Sequence, residues 1–385
     1  MTGDLALLAD RRAGIAALLG TLLLEEPGPH LADLVSAVPS LGALADGDPV
    51  LPSEYERVFL RGVPLHESVF RSDDGQQGGE HVSVLAARYV RLGFDEAQQG
   101  RWRVAGIDHL GLHLRCFAEL CRAEAEAWRS GTPDEAVAAV EAERSFLADH
   151  VAPWATVALE AAEHVATGGP YRPLLHAAIE FLDEEYDRLR PAPDLGSVLA
   201  AGGDDVRGAG AGAGGMAATA MGPQRLARVL LAPAACGAWI GRDTIAAAAT
   251  AIGAPWRPLD TRGSVRLLIS SALDSGELAV LLGPLARSLR AASDAHQASA
   301  LASPGNADTA QRWASLAGAM AARLERIAAD GLADNQSAAA ETLTVAGVDV
   351  AKLADTLDRI VVELRASGFT VDRHADRHVT RHEPR

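Results

Sequence analysis

The sequence predicts an all-α protein, and three observations carry that expectation. Ala and Leu recur at spacings of three and four along most of the 385 residues, the spacing that lines one face of a helix. Aromatic residues are only 4% of the chain and β-branched runs are scarce, so the alternation of half-buried strands is almost absent. Explicit punctuation separates the periodic stretches: Thr132-Pro133 opens one helix, and Ser303-Pro304-Gly305 divides two others. With 48% apolar residues the chain can bury a sizeable core, and its length suits two helical units better than one.

In chain order, helical patterns cover 4–26, 31–44, 53–61, 80–93, 108–129, 133–150, 154–167 and 171–189. In the first, Leu5, Leu8, Ile15, Leu19 and Leu22 form a helical stripe. Arg11 and Arg12 ahead of the apolar run 13–24 imitate the start of an export signal. Asp4 and Asp10 in the region that should be cationic, and the lack of a small-x-small cleavage site, argue for a helix of the mature protein. Ser53 with Glu56, and Thr132 with Glu135, place a hydroxyl three residues before a carboxylate, the pattern of a capped helix start. Pro153 has no amide proton, so the helix through Phe146 and His150 must kink or restart there.

From 191 to 222 the composition turns to Gly, Ala and Asp, which predicts a flexible, protease-sensitive linker. Gly210, Gly212 and Gly215 fit a GxGxxG spacing, but no strand precedes them and no acidic ribose partner follows, so low complexity explains the match. Helical patterns resume at 224–231, 242–252, 264–273, 277–301, 307–329 and 349–367. The expected organisation is therefore a first domain at 1–190, a Gly/Ala-rich linker at 191–222, a C-terminal helical domain at 223–370 and a His/Arg-rich tail at 371–385.

Charge narrows the function. The net charge is −16, every basic residue is Arg except Lys352, and no basic stripe interleaves with aromatics; this argues against nucleic acid and for a basic partner. Cys116, Cys121 and Cys236 are odd in number and lack paired zinc spacing, as expected of reduced thiols in a cytoplasmic protein. No run reaches the roughly 18 apolar residues that a membrane span needs. No HExxH, GxSxG, Gly-Lys-Ser/Thr or paired CxxC occurs, so no residues for dedicated catalysis are visible and no enzyme is expected.

One ordered set of motifs remains. Residues 55–70 read YERVFLRGVPLHESVF, with Tyr55 and Phe59 four apart and then Pro64, Glu67, Ser68, Val69 and Phe70; a polar loop follows at 72–79. Asp108 and His109 stand in AGIDHLGLHL, and Phe146, Leu147, His150 and Trp154 in SFLADHVAPW. In this order the motifs resemble the TorD/DmsD family of molybdoenzyme-specific chaperones, over about residues 5–190. Ile107 stands where that family usually has Pro, Phe70 where Tyr is commoner, and His66 where an aromatic is frequent.

The resemblance implies a TorD-like helical bundle that binds the twin-arginine signal peptide of a molybdopterin oxidoreductase and holds it until the cofactor is inserted, with no cofactor of its own. It implies peptide-binding roles for Tyr55, Pro64, Glu67, Ser68, Phe70, Asp108 and His109, with Glu67 and Asp108 as the carboxylates that meet the arginines and Phe59 and Trp154 as core. Asp108 is expected to cap the helix after it, because adjacent residues on a helix diverge and cannot form a dyad with one another. The expected partners are the client and its signal peptide, with no nucleic acid and no membrane insertion, and a homodimer as the candidate assembly.

Two other readings stand beside this one. His109, His113 and Cys116 share a helix face at i, i+4 and i+7, and His374, His378 and His382 align in the tail, which would suit a metal-handling maturation factor. Against it, Leu110, Leu114, Phe117 and Cys121 form an adjoining core stripe into which the first set can fold, and a polar tail is usually solvated, so no metal ligands are assigned. The third reading is a helical adaptor without peptide specificity. The segment LLAPAACGAWIGRDTIAAAATAIG resembles extensions of longer family members and is expected to serve partner binding or dimerisation.

Overall fold

The computed structural model describes residues 2–36, 38–46, 49–95, 106–166, 168–189, 223–256 and 261–330. The expected linker at 191–222, the helix at 349–367 and the tail at 371–385 lie outside them. Among the described residues there is no β-strand, only an isolated bridge between His66 and His109.

The first block runs α1 (Thr2–Leu24), α2 (Ala32–Val35), α3 (Leu51–Tyr55), α4 (Glu67–Arg71), α5 (Glu80–Leu92), α6 (Leu110–Ser130), α7 (Pro133–Phe146), α8 (Ala155–Val165) and α9 (Tyr171–Leu189). The second runs α10 (Pro223–Leu230), α11 (Pro233–Cys236), α12 (Arg242–Ala251), α13 (Thr261–Asp274), α14 (Leu278–Ala302) and α15 (Ala307–Asp330). Most boundaries fall within three residues of the sequence expectation. The stretch 31–44 is an exception: 3-10 turns at Pro29–Leu31 and Pro39–Ala45 flank the single turn of α2. Pro39 cannot donate to a continuing helix and keeps Val38 out of the helical conformation, so the pattern breaks there. Ser53 is not a cap. α3 begins two residues earlier with Pro52 in its first turn, and the Ser53 hydroxyl donates to the Val50 carbonyl at 2.7 Å. After α7 the chain widens into a π-turn at Leu147–Val151 and restarts at Ala155, as Pro153 requires.

α1 lies against α6 because glycine faces glycine: a Cβ on Gly20 would sit 2.6 Å from the Gly111 carbonyl oxygen. Nearer the start of α1, Arg12 enters the bundle. Its Nε donates to Glu185 Oε1 at 2.8 Å, Nη1 to Glu124 Oε2 at 2.6 Å and Nη2 to Glu143 Oε2 at 2.5 Å, so one guanidinium ties α1 to α9, α6 and α7. Arg188 supplies a second cation, 2.6 Å from Glu143 Oε2 and 3.1 Å from Glu185 Oε2. Burial disfavours the charged form of Arg12, but the Glu185 hydrogen bond and the surrounding carboxylates outweigh it and raise its pKa above the ordinary value.

Leu19, Tyr55, Phe117, Trp154 and Leu182 share the core of the first block; Leu230, Ile245, Ile269, Leu282 and Leu324 share that of the second. All these described helices belong to one compact unit. Trp239 and Trp313 approach Phe70 with ring centroids 5.9 and 6.5 Å away, and the Trp313 indole donates to the Pro153 carbonyl at 3.0 Å. His296 Nδ1 lies 3.0 Å from Glu160 Oε2, a further link between the blocks.

Candidate functional site

The segments around Glu67 and Asp108, separated in sequence by the whole of α5, meet at the His66–His109 bridge. The Glu67 amide donates to the Asp108 carbonyl at 2.9 Å and the Leu110 amide to the Leu65 carbonyl at 2.8 Å. This short pairing fixes where α4 starts. Asp108 then caps it from across the bridge: Oδ2 accepts from the Ser68 amide at 3.1 Å and from the Ser68 hydroxyl, and Oδ1 lies 3.1 Å from His66 Nδ1. Asp108 is therefore not the cap of its own helix. His109 is, its Nδ1 accepting from the Gly111 amide at 3.1 Å. The extended backbone at His109 that permits the bridge also makes it the cap residue, which leaves Asp108 free to face α4.

Glu67 anchors the second half of the lattice. Oε2 is 3.0 Å from His113 Nε2, both carboxylate oxygens are 3.3 Å from His150 Nδ1, and Arg71 donates to Oε1. His113 Nδ1 lies 3.0 Å from the His109 carbonyl oxygen. Both ring nitrogens of His113 are thus occupied by protein oxygens, Nε2 by Glu67 and Nδ1 by the His109 carbonyl, and neither is turned toward an open metal position. Cys116 is buried and burial raises its thiol pKa, with Cys236 pushed up to about 12 by the same cause, so these sulfurs stay protonated at neutral pH. Arg71 also donates to the Asp149 carbonyl at 2.6 Å, and the Trp154 indole to the His150 carbonyl at 2.6 Å, which ties the last motif to the first. The polar loop joins through Gly78, whose amide donates to the Ser68 hydroxyl at 2.9 Å, and Gln77, whose side chain lies against His66.

Glu67 and Asp108 are each 1% exposed. Burial alone would push both carboxyls up; the His113 and His150 hydrogen bonds outweigh it and bring Glu67 down to about 2, and His66 with Ser68 lowers Asp108 likewise. Burial, with the charges of His66 and His113, moves His109 well below the ordinary imidazole value. A carboxylate whose folded pKa is depressed stabilises the fold above its unfolded pKa, and that contribution is lost as pH falls through the folded value. The difference in unfolding free energy between the wild type and Glu67→Gln is therefore expected to be full at pH 6, and to shrink as pH drops from about 4.3 toward 2. Urea denaturation of both proteins at pH 6, 4.5 and 3.5 checks this; a difference that stays constant contradicts it.

Of the residues that sequence reasoning singled out, the structure brings Glu67, Ser68, Asp108 and His109 into one lattice. Tyr55 and Phe70 lie elsewhere in the core: the Tyr55 hydroxyl donates to the Leu24 carbonyl at 3.2 Å, and Phe70 stacks on Trp154 with centroids 5.8 Å apart. Pro64 is half-buried beside the bridge. Phe59 and Trp154 are core residues, as expected. His66, His113 and His150 were missed as partners of the carboxylates, although each falls within the same three motif segments.

Two comparisons found no counterpart: neither a curated protein nor a solved structure matches the chain. A family model does, over residues 26–160, and its description is nitrate reductase delta subunit. The matched segment contains every residue of the lattice. Residues 26–160 are thus similar to the nitrate reductase delta subunit family, TorD-like chaperones that mature molybdoenzymes, in line with the resemblance carried by the ordered motifs.

Proposed function

We propose that the protein is a cytoplasmic chaperone, not an enzyme, that binds the twin-arginine signal peptide of a molybdopterin oxidoreductase through the domain at 1–190 and retains it until the cofactor is in place. The observation that carries this reading is the double carboxylate lattice beneath the loop at 72–79, within the family-matched segment. Glu67 and Asp108 are spent on internal partners, so their part is to hold that loop in shape, together with Ser68 and His109, while Tyr55 and Phe70 pack the core around the lattice. The acidic side chains exposed at its rim are Asp73 and Glu80, and these are the ones free to meet a guanidinium. We keep 223–370 as a C-terminal helical domain that follows the linker at 191–222; no described helix is long and apolar enough to cross a membrane.

Calorimetry of the full chain with the signal peptide of a molybdopterin oxidoreductase from the same genome tests the reading. Changing both peptide arginines to lysine should weaken binding, because lysine keeps the charge but loses the planar fork that grips a carboxylate. Asp73→Asn with Glu80→Gln should weaken it about tenfold, since each exposed pair contributes up to ~1 kcal/mol, and raising salt should act in the same direction. Failure of every such peptide to bind would leave the adaptor reading in its place.

A further inference from the structure

A cleft of about 320 Å³ opens between the residues just before the Glu67 helix and the second block. That volume is at the lower end of small-molecule sites. Among the described residues three arginines line it, Arg61, Arg242 and Arg262, and no carboxylate does. Arg61 is paired at the rim with Glu56, 2.7 Å away. Arg262 donates to the Asp74 carbonyl and lies 3.1 Å from the Gln76 side chain, which holds its guanidinium in place. Arg242 has no side-chain partner among the described residues, although it stands in a chain of net charge −16.

Like charges lining one cleft repel each other, and the cost is relieved by an anion between them. The backbone points the same way: Arg242 opens α12, and Thr261 and Arg262, which also line the cleft, open α13, so two helix starts bring their positive ends to it. Leu60, Trp239 and Ile240 add apolar surface to the lining. The loop at 72–79 contributes Gly75 and Gln76 to this cleft, but a cationic twin-arginine segment does not suit an arginine lining, so the inference does not rest on the peptide reading.

We propose that this cleft binds a small phosphate-bearing molecule with an apolar or planar body. Guanidinium forks take the phosphate oxygens in pairs, while Trp239 and its neighbours shield the body from water. The volume favours a small molecule over an acidic peptide, which needs an extended groove.

The test is calorimetry of the full chain at fixed ionic strength with phenyl phosphate, inorganic phosphate, benzoate and pentaglutamate. Phenyl phosphate should bind more tightly than the other three. Arg242→Ala should weaken it at least tenfold and Arg242→Lys less; the side chain has no partner to lose among the described residues, so the fold should be unaffected, and circular dichroism verifies that. Trp239→Phe should narrow the gap between phenyl phosphate and inorganic phosphate while leaving the latter unchanged. Benzoate or pentaglutamate binding as tightly as phenyl phosphate, no detectable binding of phenyl phosphate, or equal affinity in the wild type and Arg242→Ala would overturn the proposal.

Discussion

Replacing Arg12 with methionine is expected to lower the stability of the protein by about 3–5 kcal/mol, because it leaves buried carboxylates without their cation. Glu124, Glu143 and Glu185 converge on this one guanidinium from three helices, and all three are buried. Arg188 remains to Glu143 and Glu185 but is bonded to neither face of Glu124. Methionine fills a similar volume, so the loss reports the charge and its hydrogen bonds and not a cavity. Arg12→Lys is expected to fall between the two, since an ammonium retains the charge but cannot match the fork geometry to three carboxylates at once. Urea denaturation followed by circular dichroism measures both variants. A loss of less than about 1 kcal/mol for Arg12→Met would place the network among exposed pairs in energetic terms and refute the role given to it. Should Arg12→Met fail to fold, the lysine variant still gives a reading.

The second large effect is expected at Asp108. Asp108→Ala removes the acceptor of the Ser68 amide, the Ser68 hydroxyl and His66 together. Hydrogen bonds to a charged group are worth about 1.5–3 kcal/mol each, and because the three share one carboxylate they do not add in full, so a loss of about 3 kcal/mol is expected. Asp108→Asn should be milder, because the amide oxygen can still accept from Ser68 and cap the helix. The consequence should be local as well as global. Ser68 also holds the Gly78 amide, so hydrogen exchange at Ser68 and Gly78 should accelerate in the alanine variant more than exchange in α9. Equal protection of Gly78 in wild type and Asp108→Ala would show that the carboxylate does not organise the loop.

These two networks also show where the sequence was legible. Periodicity and punctuation located nearly every helix of the first block, and the start of α9 at Tyr171 and the interruption at Pro153 follow from local chemistry alone. α4 falls between the helical patterns at 53–61 and 80–93 without one of its own, because five residues are too few to show a period. The region 31–44 was read as one helix because Leu and Val kept helical spacing while Pro39 broke the hydrogen bonding beneath it. The ordered motifs were enough to point to the family, since they are short, local and carried in one order along the chain.

By itself, then, the sequence determined the helical class, the segments that carry the chaperone resemblance and the residues worth watching within them. Only the tertiary structure decided what those residues do. Asp108 was expected on its own helix and instead caps one that starts forty-one residues earlier. Arg12 looked like part of an imitation export signal and instead meets Glu185 across 173 residues. Arg61, Arg242 and Arg262 carried no pattern that linked them, yet they line one cleft. The physical reason is the same in each case: helix spacing and caps are set by neighbours within a turn or two, whereas a buried ion pair or a cleft is set by which helix faces pack together.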